Sequence, residues 1–382
     1  MKVLIDAVGI KTGGTATVLN NVLWGLIAND SNIDIVVYLD KNTLDYNNLY
    51  KHRNIQFEPI KELTLFEKVL WQQINVQKKA RLHNVDLLLS LTNVVSYFPR
   101  VSSVVYFHQA LFFLNSRRLY DIFGFDYFIR FLFIRFFISL GFKSSQAIIC
   151  QTETAKKQII EKGYANKKIH VIPSGIPKDF GLDKVTNKNF NFDFDGLSIL
   201  FVSHPAEYKN YSILFETARL SKAEKIRFKF ILTLDVNKGD ERYKNFVNSY
   251  LKKIKEYKIE DYFLFMGRLD SAEEVNAAIK AADVIIHPSL IESFPQTFTE
   301  SMVAGKALVS ADLGYARDIC KESSLYFKPD SPKQLLKQIK SLNREELNRM
   351  SRLSLKRSSH FEPVSCWGAL LTVLRKVKNE SQ

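Results

Sequence analysis

At 382 residues the chain is long enough for about two domains with sizeable cores. Lys and Arg outnumber Asp and Glu by 54 to 40, and the net charge of +14 points to an acidic partner: nucleic acid, anionic lipid or a phosphorylated substrate. No stretch is both long and uncharged enough to span a bilayer, and Cys150, Cys320 and Cys366 lie too far apart for a metal or redox motif.

The chain opens on the strand "KVLIDA" with no cleavable leader, so a cytosolic start is expected, and sparse cysteines suit a reducing compartment. "TATVLNNVLWGLIAN" reads as a helix after Gly13-Gly14, "IDIVVYLD" as a strand and "TLFEKVLWQQINVQKKARLHN" as one long helix. "VDLLLSLT", "VSSVVYFHQ" and "SQAIICQT" are three further strands. "ETAKKQIIEKGY" is a helix ending at Gly163, and "KIHVIPSGI" a last short strand. Apolar strands alternating with helices predict a parallel sheet covered on both faces.

Residues 127–142, "YFIRFLFIRFFISLGF", form a Phe/Arg-rich helix in which Arg130 and Arg135 interrupt the apolar run. Two readings stand side by side: a buried helix packed on the sheet, or a face that dips into a membrane surface with its basic residues on lipid phosphates. Arg100, Arg117, Arg118 and Lys143 add positive charge nearby, opposed by Asp121 and Asp126.

Residues 181–196 are polar, aperiodic and poor in aliphatics, and read as a linker. Its "FDFD" holds Asp193 and Asp195 in a D-x-D triplet, but outside any buried strand, which favours solvent exposure over metal binding. The alternation then restarts with "LSILFVS" and continues through "FKFILTLD", "YFLFMG", "DVIIHPS" and "KALVSADLG" as strands between helices. Three helices close the chain. The expected domains are 1–180 joined by a terminal helix at about 363–382, and 197–362.

The segment "ESFPQTFTE" carries Glu292 and Glu300 on either side of a helix entry that follows a buried strand. Ligands of open parallel sheets bind beyond the carboxyl ends of the strands, at such entries. Pro295 suits the first helical turn and Gly305 the stop, and the free N–H groups near Phe294 to Thr297 offer an anion site. Glu300 can accept from a vicinal diol while Glu292 sits beside whatever the phosphate carries. A helix cap with a solvated Glu is the plain alternative. Lys209 opens a helix, where a cation opposes the dipole unless it meets an anion. His108 ends a buried strand where a cleft would open, although an isolated His in such a place can also be a core residue.

"HPSLIESFPQTFTESMVAGKALVSADLG" resembles the donor-binding signature of the family 4 retaining glycosyltransferases (glycosyl transferases group 1). Pro288-Ser289, Glu292, Phe294, Glu300, Met302, Gly305, Ser310 and Asp312 hold the family's places. "SQAIICQTETAKKQIIEKGYANKKIHVIPSGI" and "SILFVSHPAEYKNYSILFETARL" extend the likeness over most of the chain. The resemblance implies the α/β GT-B fold: two Rossmann-like domains facing across a cleft, with a C-terminal helix crossing back to the first. It further implies that Glu300 holds the ribose, Glu292 the transferred sugar, Lys209 the diphosphate, and the backbone of Ser293, Phe294, Pro295, Gln296 and Thr297 the phosphate and sugar. His108 would face the sugar from the first domain, and Gly13 and Gly14 would let backbone approach donor or acceptor. His204 replaces the usual Arg, with Arg268 a candidate to compensate, and Pro295-Gln296-Thr297 replaces Gly-Leu-Pro. No metal or other cofactor is expected.

The partners so implied are a nucleoside diphosphate sugar and a lipid-linked or soluble saccharide acceptor, with the chain cytoplasmic or peripheral on the inner face of the cell membrane. A lipid-linked saccharide of bacterial surface polysaccharide synthesis fits the basic first half. Charge alone also suggests nucleic acid, but no recognition motif accompanies it. A nucleotide-sugar epimerase, a phosphorylase or a non-catalytic binder could use the same scaffold. Gly9, Gly13, Gly14 and Asp40 mimic a dinucleotide fold without making G-x-G-x-x-G.

Overall fold

The computed structural model describes residues 1–10, 14–42, 49–177, 180, 190–192, 194–237 and 239–380. The chain divides into two units, unit 1 with residues 1–178 and 361–382 and unit 2 with residues 179–360. Gly13, Asp193 and most of the expected linker lie outside the described residues.

Seven strands carry unit 1: β1 (Lys2–Ala7), β2 (Asp34–Asp40), β3 (Ile55–Ile60), β4 (Leu87–Ser90), β5 (Ser103–Tyr106), β6 (Ala147–Cys150) and β7 (Ile169–Val171). All neighbours are parallel, in the order β3-β2-β1-β4-β5-β6-β7. Parallel neighbours need crossover connections, which put helices on both faces and leave successive residues such as Val3, Leu4 and Ile5 all buried. The order reverses between β1 and β4, so the loops leaving them diverge and open a crevice.

Strand β3 is not among the elements the sequence predicts, because Gln56, Glu58 and Pro59 break its apolar run. It lies at the sheet edge, where a proline is tolerated. The expected single helix over residues 64–84 is a helix Leu65–Leu70, a π turn Trp71–Asn75 and a helix Val76–Leu82. Thr64 and Glu67 cap its start reciprocally. At the π turn Trp71 is buried, and its Nε1 donates to Asp6 at 3.0 Å.

The Phe/Arg-rich stretch belongs to a longer helix, Ser116–Ser144, broken at Gly124, whose φ of 75° and ψ of 178° suit glycine alone. One face packs inward: Phe131, Ile138 and Phe142 are buried, and Phe142 meets the rings of Phe107 and Phe112. The buried-helix reading therefore holds for that face only.

The terminal helix Pro363–Glu380 returns to unit 1, where Trp367 and Leu370 join the core of β1 and the helix Gly14–Asn29. Gly25 makes the approach possible, since a Cβ there would stand 2.2 Å from Trp367 Cγ.

Unit 2 has six parallel strands: β8 (Leu197–Phe201), β9 (Phe228–Leu232), β10 (Phe263–Phe265), β11 (Val284–His287), β12 (Ala307–Ala311) and β13 (Ser324–Phe327), ordered β10-β9-β8-β11-β12-β13. Here the reversal falls between β8 and β11. Strand β13 and the helix Gly314–Cys320 are further elements not among those the sequence predicts. Asp195, the one member of the D-x-D among the described residues, is exposed and paired with Arg227. Among the described residues no helix is long and apolar enough to cross a membrane.

Candidate functional site

Unit 2 builds its site where the strand order reverses. After β8 the chain closes a 3₁₀ turn, Glu207–Lys209, before the helix Tyr211–Glu224 begins. Asn210 makes the junction in the left-handed region (φ 56°, ψ 43°), which its short polar side chain tolerates. Asn210 Nδ2 donates to the carbonyls of Pro288 and Pro329, at 3.3 and 2.9 Å, and the Leu290 N–H donates to the Tyr208 carbonyl at 2.7 Å. These bonds tie the β8 loop to the β11 loop and set Lys209 beside Glu292.

Lys209 Nζ lies 2.5 Å from Glu292 Oε1, with the two side chains 11% and 16% exposed. Burial pushes the Glu292 carboxyl up, but Lys209, then His287, outweigh it and hold the group below its ordinary value. Lys209 precedes the helix rather than opening it. The anion that its charge called for is, in this structure, the Glu292 carboxylate.

His204 stands in the same loop as Lys209. Its ring is solvent-exposed yet crowded, and desolvation followed by the Lys209 charge lowers its pKa. A neutral imidazole there is a weaker anion clamp than the family's arginine. Arg268 is not drawn in to replace it: it is exposed after β10, the far edge strand, and pairs with Asp270 at 3.3 Å.

Pro295 is the N-cap and not the first helical residue, for its ψ of 117° is extended, and the helix runs Gln296–Val303. The N–H groups of Ser293 and Thr297 find no acceptor among the described residues, and that of Thr297 lies in the first helical turn, at the positive end of the helix dipole. Phe294 is buried and anchors the loop, while Gln296 is half-buried. Glu300, in the second turn, is 9% exposed. Its carboxylate has no hydrogen-bond partner among the described residues, and burial raises its pKa to about 7. A buried acid without a partner is costly until a ligand supplies donors.

His287 was not singled out from the sequence, although it begins the quoted segment. It ends β11 almost fully buried, its ring 4.5 Å from that of Phe298, with Nε2 2.9 Å from Thr297 Oγ1. Burial lowers its pKa to about 4, so a neutral ring orients the Thr297 hydroxyl. The signal was available in the pairing of His287 with Thr297 ten residues on, where the family has proline.

His108 and Gly14 belong to unit 1. The His108 N–H donates to Asn93 Oδ1 at 2.7 Å, Nε2 is 3.4 Å from Asn93 Nδ2, and the buried Nδ1 has no partner among the described residues. Desolvation lowers its pKa to about 4. It lines a cavity of about 420 Å³ in the crevice of unit 1, together with Gly9, Thr92 and Asn93. A Cβ at Gly14 would meet nothing within 4 Å among the described residues. Asp40, the acid of the dinucleotide mimic, is buried and accepts the Gly9 N–H at 2.9 Å, bracing the β1 loop.

Two family models match the chain: "Glycosyltransferase Family 4" over residues 12–180 and "Glycosyl transferases group 1" over residues 185–357. No curated protein matches. Among solved structures, HepE of Anabaena in complex with UDP and glucose is 16% identical, with 98% of this chain and 100% of that chain covered and a TM-score of 0.72. Sucrose-phosphate synthase of Thermosynechococcus elongatus is 14% identical, with both chains fully covered and a TM-score of 0.75. WaaG, a glycosyltransferase involved in lipopolysaccharide biosynthesis, is 14% identical over 98% of this chain and 99% of its own, with a TM-score of 0.68. These likenesses show the shared two-sheet fold.

Proposed function

The chain belongs to the group 1 (family 4) glycosyltransferases of the GT-B fold, and from that premise we propose that it moves a hexosyl group from a nucleoside diphosphate sugar to a hydroxyl of a lipid-linked saccharide, with retention at the anomeric carbon. The observation that carries this reading is the Lys209–Glu292 pair at the reversal of unit 2, with the partnerless Glu300 in the helix beyond it.

The chemistry follows from charge. The donor's diphosphate is a stronger anion than one carboxylate, so it takes Lys209 and releases Glu292 to accept from a hydroxyl of the sugar. As the glycosyl bond breaks, negative charge grows on the leaving diphosphate. Lys209 and the N–H groups of Ser293 and Thr297 stabilise it there without calling on a metal. The ribose diol donates to Glu300. From unit 1, His108 offers a neutral ring to the sugar or the attacking hydroxyl.

The neighbours support the donor class, since HepE is described with UDP-glucose, and WaaG is described in lipopolysaccharide synthesis. Bacterial surface polysaccharide synthesis on the cytoplasmic face of the membrane is the setting in which such an acceptor occurs. The test is turnover: purified protein should release nucleoside diphosphate from its donor only when a saccharide acceptor is present. Donor interconverted intact would instead mark an epimerase, and neither outcome a silent binder.

A further inference from the structure

Resting on that reading of the acceptor, we propose that the cavity of unit 1 holds the phosphate headgroup of an anionic amphiphile, with Lys68 and Arg130 as its anion clamp, and that the amphiphile is drawn from a bilayer on which the helix Ser116–Ser144 lies.

The clamp rests on two cations that pair with no carboxylate among the described residues. Lys68 and Arg130 line one cavity of about 420 Å³, whose walls are otherwise largely apolar, and neither has a carboxylate partner among the described residues. Three acids of the elements beside Lys68 are engaged elsewhere. Glu67 pairs with Lys61 and caps through Thr64, Asp6 accepts from Trp71, and Asp40 accepts from Gly9. A Cβ at Gly9 would stand 3.6 Å from Lys68 Nζ, which places the ammonium over the β1 loop inside the crevice. Two cations on one cavity, one within it and one at its mouth, suit a multivalent anion that accepts from both.

The bilayer rests on what lies beside the cavity. Arg130 and Phe133 line it and are also exposed, so they form its rim. From that rim Ile129, Leu132, Phe133 and Phe136 run at helical spacing, 48%, 37%, 46% and 57% exposed. An apolar stripe of this spacing left in solvent is the face of a helix that lies in an interface. Exposed Arg117 and Arg118, ahead of the break at Gly124, add positive charge that complements anionic lipid. The stripe suits the tail and the cavity suits the head.

The test uses the full chain carrying Lys209→Met, which disables the diphosphate site of unit 2, and titrates farnesyl diphosphate, inorganic diphosphate and farnesol by calorimetry. Farnesyl diphosphate should bind, the two halves about tenfold or more weaker, and adding Lys68→Gln should weaken it about tenfold. In parallel, Leu132→Glu with Phe136→Glu, both exposed sites, should abolish sedimentation with phosphatidylglycerol vesicles while leaving farnesyl diphosphate affinity within about threefold. Equal affinity with and without Lys68 overturns the clamp. Unchanged sedimentation, or a wild-type dimer dissolved by the stripe variant, overturns the bilayer. Either result leaves donor turnover at unit 2 standing, and loss of turnover leaves these binding results standing.

Discussion

Lys209 and Glu292 neutralise each other across 2.5 Å, both nearly withdrawn from solvent. The pair joins two loops, and on the proposed function it is the contact that a donor diphosphate would exchange.

Breaking that pair from one side leaves a buried charge unmatched. Lys209→Met should lower stability by about 3 kcal/mol, whereas Lys209→Met with Glu292→Gln should cost clearly less. Thermal unfolding of the two single variants and the double variant reads the coupling directly.

Glu300 gives a pH signature of known sign. Its folded pKa of about 7 exceeds the ordinary 4.5, so the folded state holds a proton that the unfolded state has lost. Stability should therefore fall as pH rises from 4.5 to 7, by as much as about 3 kcal/mol. Glu300→Gln should match the wild type near pH 4.5 and exceed it in Tm at pH 8. Equal Tm values at pH 8 would contradict the burial cost.

His108, with its pKa pressed to about 4 by burial, should show no imidazole titration between pH 5.5 and 8 in proton NMR. If His108 serves the sugar or the attacking hydroxyl as proposed, His108→Ala should lower kcat by about a hundredfold in turnover assays while changing donor affinity little.

The terminal helix is structural. Gly25→Val should drive the helix Gly14–Asn29 off Trp367 and cost about 1–3 kcal/mol, and Trp367→Ala about 3–5 kcal/mol. Both are read as Tm, with donor binding at unit 2 as the control for an intact site.

Most of this architecture was written in local pattern. Strands β1, β2 and β11 are apolar runs that nothing interrupts, and Glu292 and Glu300 stand in a long signature. What escaped was set by tertiary context. Strand β3 carries Pro59 and Glu58 and is a strand because an edge of β2 was available to it. The π turn at Trp71 breaks a helix whose periodicity gave no warning, and its indole is held by Asp6, 65 residues away in sequence. The pairing of Lys209 with Glu292 joins loops 83 positions apart, so a cation expected to await a ligand already had an internal partner. His287 was passed over because its role depends on the Thr297 hydroxyl folding back above it.

The most direct measurement is a thermal-shift titration of nucleoside diphosphate sugars against the wild type and Glu300→Ala. At least one donor should raise the wild-type Tm in proportion to the logarithm of its excess over Kd, and the variant should respond far less. A wild type indifferent to every nucleotide sugar, or a variant that responds equally, would contradict the assignment of this site.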